Sequence, residues 1–188
     1  MLLLIIINVP KPGLVEHYST IAKNVSIPII LYNVPSRTGV NIEPKTCLKL
    51  SKMENIVAIK EASGNISQVA EISRLCRENL LIYSGNDDQI LPCLSIGAIG
   101  VISVLSNIIP KYVHDMIDLF FKGNLKDSKE MQLKVLPLIK ALFSEVNPIP
   151  IKAALNELGF HFGAPRLPLT PLLDNNLEVL KTELLNFI

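Results

Sequence analysis

The sequence predicts an α/β protein in which βα units build a parallel sheet and a helical region follows. Three observations lead there. Short apolar, β-rich runs recur through the first part of the chain. Each is followed by a stretch that can present an apolar stripe at helical spacing. Beyond residue 105 the runs stop and only helical patterns remain. Strands alternating with helices of this length form βα units and a parallel sheet.

The apolar runs lie at residues 2–7, 27–34, 56–59, 80–83 and 100–105, and the helical patterns between them at 14–25, 44–53, 66–78 and 88–96. Glu43-Pro44 and Asn65-Ile66 read as helix starts. Three further helices are expected at 110–122, 125–143 and 148–158, then an irregular stretch rich in Pro and Leu at 163–174, then a last helix at 177–187. The sheet-forming part is thus assigned to residues 1–106 and the helical region to 107–188.

Bulk properties exclude several classes. The 188 residues carry a net charge of +1, which leaves no basic footprint for nucleic acid. Charged residues make up 19% and the mean hydropathy is +0.39, values that fit strands buried on both faces. Cys47, Cys76 and Cys93 are odd in number and lack CxxC spacing. That argues against a disulfide framework or a zinc site and points to a reducing, cytoplasmic setting. Residues 1–7 are apolar, but they lack a basic segment and a small-residue cleavage site. They are too short to span a bilayer, so a buried strand is expected and no membrane partner.

Parallel-sheet enzymes place their chemistry at the carboxyl ends of strands. Here those ends read Tyr32-Asn33-Val34-Pro35-Ser36-Arg37-Thr38-Gly39, then Lys60-Glu61-Ala62, then Ser84-Gly85-Asn86-Asp87, then Gly100-Val101-Ile102-Ser103. Lys60 closes an apolar run. Desolvation there disfavours the ammonium and exposes a nucleophilic amine that can form a Schiff base with a ketone; the plainer alternative is a lysine whose head reaches solvent. Tyr32 either shuttles protons beside that amine or is a core aromatic with a satisfied hydroxyl. Arg37 either offers its planar fork to a substrate carboxylate or is a surface or interface arginine. Gly39 and Gly85 serve turn geometry or the close approach of a ligand. Asp87 and Asp88 are expected to cap a helix. His17, His114 and His161 show no ligand spacing, and no metal is expected.

Several stretches closely resemble the dihydrodipicolinate synthase family. They are residues 31–39 around Tyr32 and Arg37, Ala58-Ile59-Lys60-Glu61-Ala62-Ser63-Gly64-Asn65, Ser84-Gly85-Asn86-Asp87, Gly100-Val101-Ile102-Ser103-Val104, Asn147-Pro148-Ile149-Pro150-Ile151-Lys152 and Arg166-Leu167-Pro168-Leu169. They occur in the family's order and spacing from about Gly13 onward. The resemblance implies a partial TIM (β/α)₈ barrel, about its last five strands, followed by the helical region. It implies a reaction without metal or cofactor: pyruvate forms a Schiff base on Lys60, and the derived enamine attacks aspartate semialdehyde. The product, 4-hydroxy-tetrahydrodipicolinate, belongs to lysine and diaminopimelate biosynthesis. Tyr32 matches the proton-shuttling tyrosine and Arg37 the arginine for the semialdehyde carboxylate. Gly85, Asn86 and Ile102 match positions lining the pyruvate pocket. A homo-oligomer is implied. The arginine-bearing tyrosine loop favours this family over its sialic-acid lyase and sugar-acid aldolase relatives.

Two elements of the family pattern have no counterpart: a Gly-Thr-Thr-Gly-Glu loop that holds the pyruvate carboxylate, and a tyrosine in a Pro-Tyr-Tyr-Asn segment. The stretch matching that segment is Leu4-Ile5-Ile6-Ile7-Asn8. One set of codons for residues 1–8, read two bases later, yields Val-Thr-Pro-Tyr-Tyr-Asn-Lys. The expectation is therefore an N-terminally truncated homologue, with residues 1 to about 12 read out of frame. A full barrel needs about 250 residues. About five strands leave an open edge and apolar inner faces, so an N-terminal complementing fragment and low activity of this chain alone are expected. The rival expectations are another pyruvate-dependent aldolase or lyase, and a non-enzymatic remnant of a frameshifted gene.

Overall fold

The structure, a computed structural model, describes residues 10–187. The strand expected at 2–7 and most of the segment assigned to another frame lie outside them. The chain divides into two compact units between Ile102 and Ser103.

The first unit runs α1 (Lys11–Lys23), β1 (Ile29–Asn33), α2 (Pro35–Thr38), α3 (Pro44–Leu50), β2 (Ile56–Glu61), α4 (Ile66–Cys76), β3 (Leu81–Ser84), α5 (Ile90–Ser95) and β4 (Gly100–Val101). The four strands are parallel and lie in chain order. The helix starts at Pro44 and Ile66 fall where the sequence places them, and the Asn65 side chain caps α4 by accepting the Gln68 amide at 3.1 Å.

Register sorts the sheet into two unlike faces, because side chains alternate along a strand. Leu31, Ile59 and Ile82 form one row across β1, β2 and β3, and Asn33, Glu61 and Ser84 form the next. All six are buried, on the face that carries the helices. The opposite face holds Ile30, Ala58 and Leu81 in one row and Tyr32, Lys60, Tyr83 and Gly100 in the next. Ile102 extends it, with its amide donating to Ser84 O at 2.9 Å. On this second face Ile30, Tyr32, Leu81 and Ile102 are 37–49% exposed. Helices α1, α3, α4 and α5 bring Leu14, Cys47, Leu50, Val69, Ile72, Cys76, Ile90 and Cys93 into the core. The three cysteines are free, and burial pushes their thiols up.

The second unit contains α6 (Pro110–Phe121), α7 (Leu125–Leu142), α8 (Ile149–Glu157) and α9 (Asp174–Leu184). Polar bonds fix α6 on α7: Ser128 Oγ donates to Met116 O at 2.7 Å, and the Tyr112 hydroxyl donates to Met131 O at 2.9 Å. Glu145 accepts from the Leu173 amide at 3.0 Å and Asn176 Nδ2 at 2.7 Å, which pins the start of α9.

Three expectations need correction. Residues 35–38 form a short helix rather than a loop: Pro35 is preorganised for a first helical turn, and Gly39 at φ +67° ends it. The strand expected over 100–105 is confined to Gly100–Val101, and the chain turns through a 3₁₀ segment at Leu105–Asn107. Helix α9 begins at Asp174, earlier than the apolar pattern suggests, where the bonds to Glu145 order the chain. Among the described residues no helix is long and apolar enough to cross a membrane, and no group of three or more His, Cys, Asp or Glu could hold a metal.

The two faces should respond differently to the same truncation. Ile59→Ala is expected to cost about 2–5 kcal/mol, and Ile30→Ala about 1 kcal/mol or less. Urea unfolding of both variants measures this; equal losses would contradict the assignment of faces.

Candidate active site

Lys60 lies one residue before the end of β2, on the less covered face, with Tyr32 opposite on β1 and Tyr83 opposite on β3. Its Nζ sits 4.4 Å from the centroid of the Tyr32 ring, a cation–π distance. The amine is held below the ordinary lysine value. Burial is the main cause; the Arg37 charge acts in the same direction, and the buried Asp87 carboxylate opposes both. A lysine so placed is neutral from a lower pH than an exposed one, which is what nucleophilic attack requires.

The surrounding strand ends bring the other candidates together. Gly85 donates its amide to Glu61 O at 2.7 Å. A Cβ there would stand 2.6 Å from Ala62 Cβ, 3.1 Å from Glu61 O and 3.2 Å from Lys60 Cε, so Ala62 above all requires glycine, and the lysine arm passes close by. Asn86 is held by a turn: Ser84 Oγ donates to Asn86 O at 2.9 Å, and Asn86 Nδ2 donates to Gln89 Oε1 at 3.4 Å. Gln89 in turn reaches Gly64 O at 3.1 Å. Ile102 contributes an exposed apolar side chain on the lysine face. Arg37 lies on α2, whose short turn begins directly after β1, and its charge is felt at Lys60.

The N-cap positions of the 3₁₀ segment Asp87–Gln89 and of α5 are Asn86 and Gln89, and neither of these side chains makes a cap bond. Asp87 is buried and acts electrostatically on Lys60. The residue pattern alone does not mark Tyr83, although it ends the apolar run at 80–83; the pairing of Lys60 with Tyr83 places it at the site.

Behind Lys60, on the helix-covered face, stands a buried polar cluster. Glu61 Oε2 accepts from Asn33 Nδ2 at 2.8 Å and Gln68 Nε2 at 3.3 Å, and Glu61 Oε1 accepts from the Ser63 amide at 2.7 Å. Asn33 Oδ1 accepts from the Ile42 amide at 2.9 Å. Asn41 closes the cluster, with Oδ1 accepting from Asn33 at 2.8 Å and Gln68 at 3.0 Å, and Nδ2 donating to Gln68 Oε1 at 2.8 Å.

Comparison with known proteins follows the same outline. The model of the dihydrodipicolinate synthetase family matches residues 6–186. The 4-hydroxy-tetrahydrodipicolinate synthase of Caldicellulosiruptor saccharolyticus is 61% identical over 177 residues, covering 94% of this chain and 60% of the relative. That of Clostridium novyi is 55% identical with the same coverage. The crystal structure of dihydrodipicolinate synthase from Thermotoga maritima superposes with a TM-score of 0.93 at 42% identity, covering 95% of this chain and 62% of that one. The chloride-inhibited enzyme of Acinetobacter baumannii, complexed with pyruvate, gives 0.91 at 37% identity with the same coverage. The chain spans about 60% of the length of the curated relatives it matches. It belongs to the dihydrodipicolinate synthetase family.

Proposed function

We propose that this chain carries the Schiff-base-forming part of a 4-hydroxy-tetrahydrodipicolinate synthase, with residues 1–106 supplying strands of a (β/α)₈ barrel and 107–188 its helical region. The observation that supports this best is the half-buried Lys60 amine, held below its ordinary pKa beside the Tyr32 ring. Lys60 Nζ attacks the ketone of pyruvate, and loss of water gives the iminium. Removal of a methyl proton gives the enamine, whose carbon bonds to the aldehyde of aspartate semialdehyde. No metal or cofactor is required, because the iminium itself is the electron sink. Tyr32 moves protons to and from the ketone oxygen. Arg37 receives the semialdehyde carboxylate. Gly85 makes room for the lysine arm, and Asn86 and Ile102 line the pyruvate side. The setting is the cytoplasm, and the assembled enzyme is a homo-oligomer.

A second reading is supported by two observations together. The chain spans about 60% of its relatives, and apolar side chains stand exposed on the lysine face. On this reading the chain alone is a weak catalyst or a non-enzymatic remnant, and an N-terminal fragment completes the site. A different pyruvate-dependent aldolase or lyase is disfavoured by Arg37 in the short helix after β1 and by the likeness to 4-hydroxy-tetrahydrodipicolinate synthases.

Incubation with pyruvate and borohydride is expected to place the adduct on Lys60 and to leave Lys60→Ala unlabelled, as read by peptide mass spectrometry. Because the Lys60 pKa is lowered, the neutral amine appears from lower pH than in free lysine. Trapping should therefore rise with pH through an inflection below the ordinary lysine value and level off above it. An adduct elsewhere with Lys60 unmodified refutes the assignment. In the complemented enzyme, Arg37→Ala removes a charged hydrogen bond worth roughly 1.5–3 kcal/mol, so kcat/KM for the semialdehyde should fall about 10- to 150-fold; unchanged kinetics place Arg37 outside the site. A coupled synthase assay is expected to show little turnover by the chain alone and recovery when an N-terminal fragment of a relative is added. Full turnover by the chain alone would overturn the second reading.

A further inference from the structure

The Glu61 cluster lies on the opposite side of the sheet from the chemistry, and the roles given above to the lysine-face residues leave it unused. Its hydrogen bonds are strict. The Ile42 amide fixes Asn33 Oδ1, because a backbone N–H can only donate, so Asn33 must turn its Nδ2 toward Glu61. The Ser63 amide is likewise an obligatory donor. Gln68 adds a third donor. Among the described residues Glu61 therefore faces three donors and no acceptor, and a carboxylate suits this arrangement because it accepts only. Each anchored group is next to a residue of the lysine face: Asn33 follows Tyr32 in β1, and Glu61 follows Lys60 in β2. Asn33 and Glu61 are themselves register partners, as Tyr32 and Lys60 are. Two main-chain bonds continue the tie, from the Ala62 amide to Asn33 O at 2.9 Å and from the Gly85 amide to Glu61 O at 2.7 Å.

We propose that Glu61 is a positioning residue: from the helix-covered face its carboxylate gathers Asn33, Gln68 and the Ser63 amide, and so holds Tyr32, Lys60 and Gly85 in place on the lysine face. The inference deepens the reading of Lys60 as the reactive amine. It also explains why a buried carboxylate directly follows that lysine. Charge-assisted bonds are stronger than neutral ones, and a fully satisfied buried network rigidifies the segments it joins.

The test reads Lys60 without pyruvate. The full chain is acylated with an amine reagent across a pH series, and the rate at Lys60 is compared by mass spectrometry with exposed lysines of the same molecule. Glu61→Gln presents an amide NH₂ to groups that are already donors. Lys60 should then loosen and hydrate: its labelling inflection should move up toward that of the exposed lysines, and its labelling at mildly alkaline pH should slow several-fold. Asn33→Asp combined with Glu61→Gln moves the acceptor one strand away and keeps one negative charge, with Asn41 and Gln68 both turning their amides over so that every donor again meets an acceptor. It should restore the inflection. An unchanged inflection in folded Glu61→Gln, or no restoration by the folded double variant, overturns the proposal. If either fails to fold by circular dichroism, Gln68→Met, which removes the Gln68 donor to Glu61 together with its bonds to Asn41, replaces it; a smaller slowing in the same direction supports the proposal and no change overturns it. Pyruvate trapping on the unsubstituted chain is run in parallel. Failure of trapping with a low Lys60 inflection counts against the synthase reading and leaves the positioning role standing.

Discussion

The alternation of side chains along β2 is the constraint from which the site follows. Lys60 and Glu61 are consecutive, so a strand must send them to opposite faces. Slipping β2 by one residue would drive the Lys60 ammonium under the helices and turn the Glu61 carboxylate away from its three donors. An uncompensated buried charge and several orphaned buried donors would each cost kilocalories. The register is thus pinned by polar groups as well as by the apolar row Leu31, Ile59 and Ile82. Once it is pinned, Tyr32 and Tyr83 have no choice but to flank Lys60, and Gly85 must pass close to the lysine arm.

The lysine face balances two opposed demands. Cover lowers the lysine pKa and makes the amine nucleophilic; the proposed reaction also needs access for a ketone. In the described residues the balance stands partway: Lys60 is only half-buried, while Ile30, Tyr32, Leu81 and Ile102 keep substantial contact with water. Asp87 restrains the shift that burial and Arg37 impose. Any polypeptide laid over this face would strip water from Lys60 and bury those four side chains together, so on the proposed function cover and catalysis are coupled.

Much of this was legible in the sequence, for a physical reason. The apolar runs that become β1, β2 and β3 are β-rich and end in polar groups, so both the elements and Lys60, Tyr32 and Arg37 could be marked. Local pattern fails where a residue answers to a distant partner. Asp87 reads from its neighbours only as a cap candidate, and the fold alone shows it buried and acting on Lys60. Glu61 looks like an ordinary charge after a strand, because its donors come from 28 residues earlier in Asn33 and 7 later in Gln68. Tyr83 becomes a neighbour of Lys60 only through the pairing of β2 with β3. The end of β4 likewise depends on the turn that follows it, not on the apolar run of 100–105.

On this reading the fold itself, without substrate, makes Lys60 a more readily deprotonated amine than an ordinary lysine. The most direct measurement is a pH titration of the chain with carbon-13 lysine, following the Cε resonance of Lys60 assigned by its loss in Lys60→Arg. The Lys60 midpoint is expected below those of the other lysines. A Lys60 midpoint at or above theirs in the folded chain would contradict it.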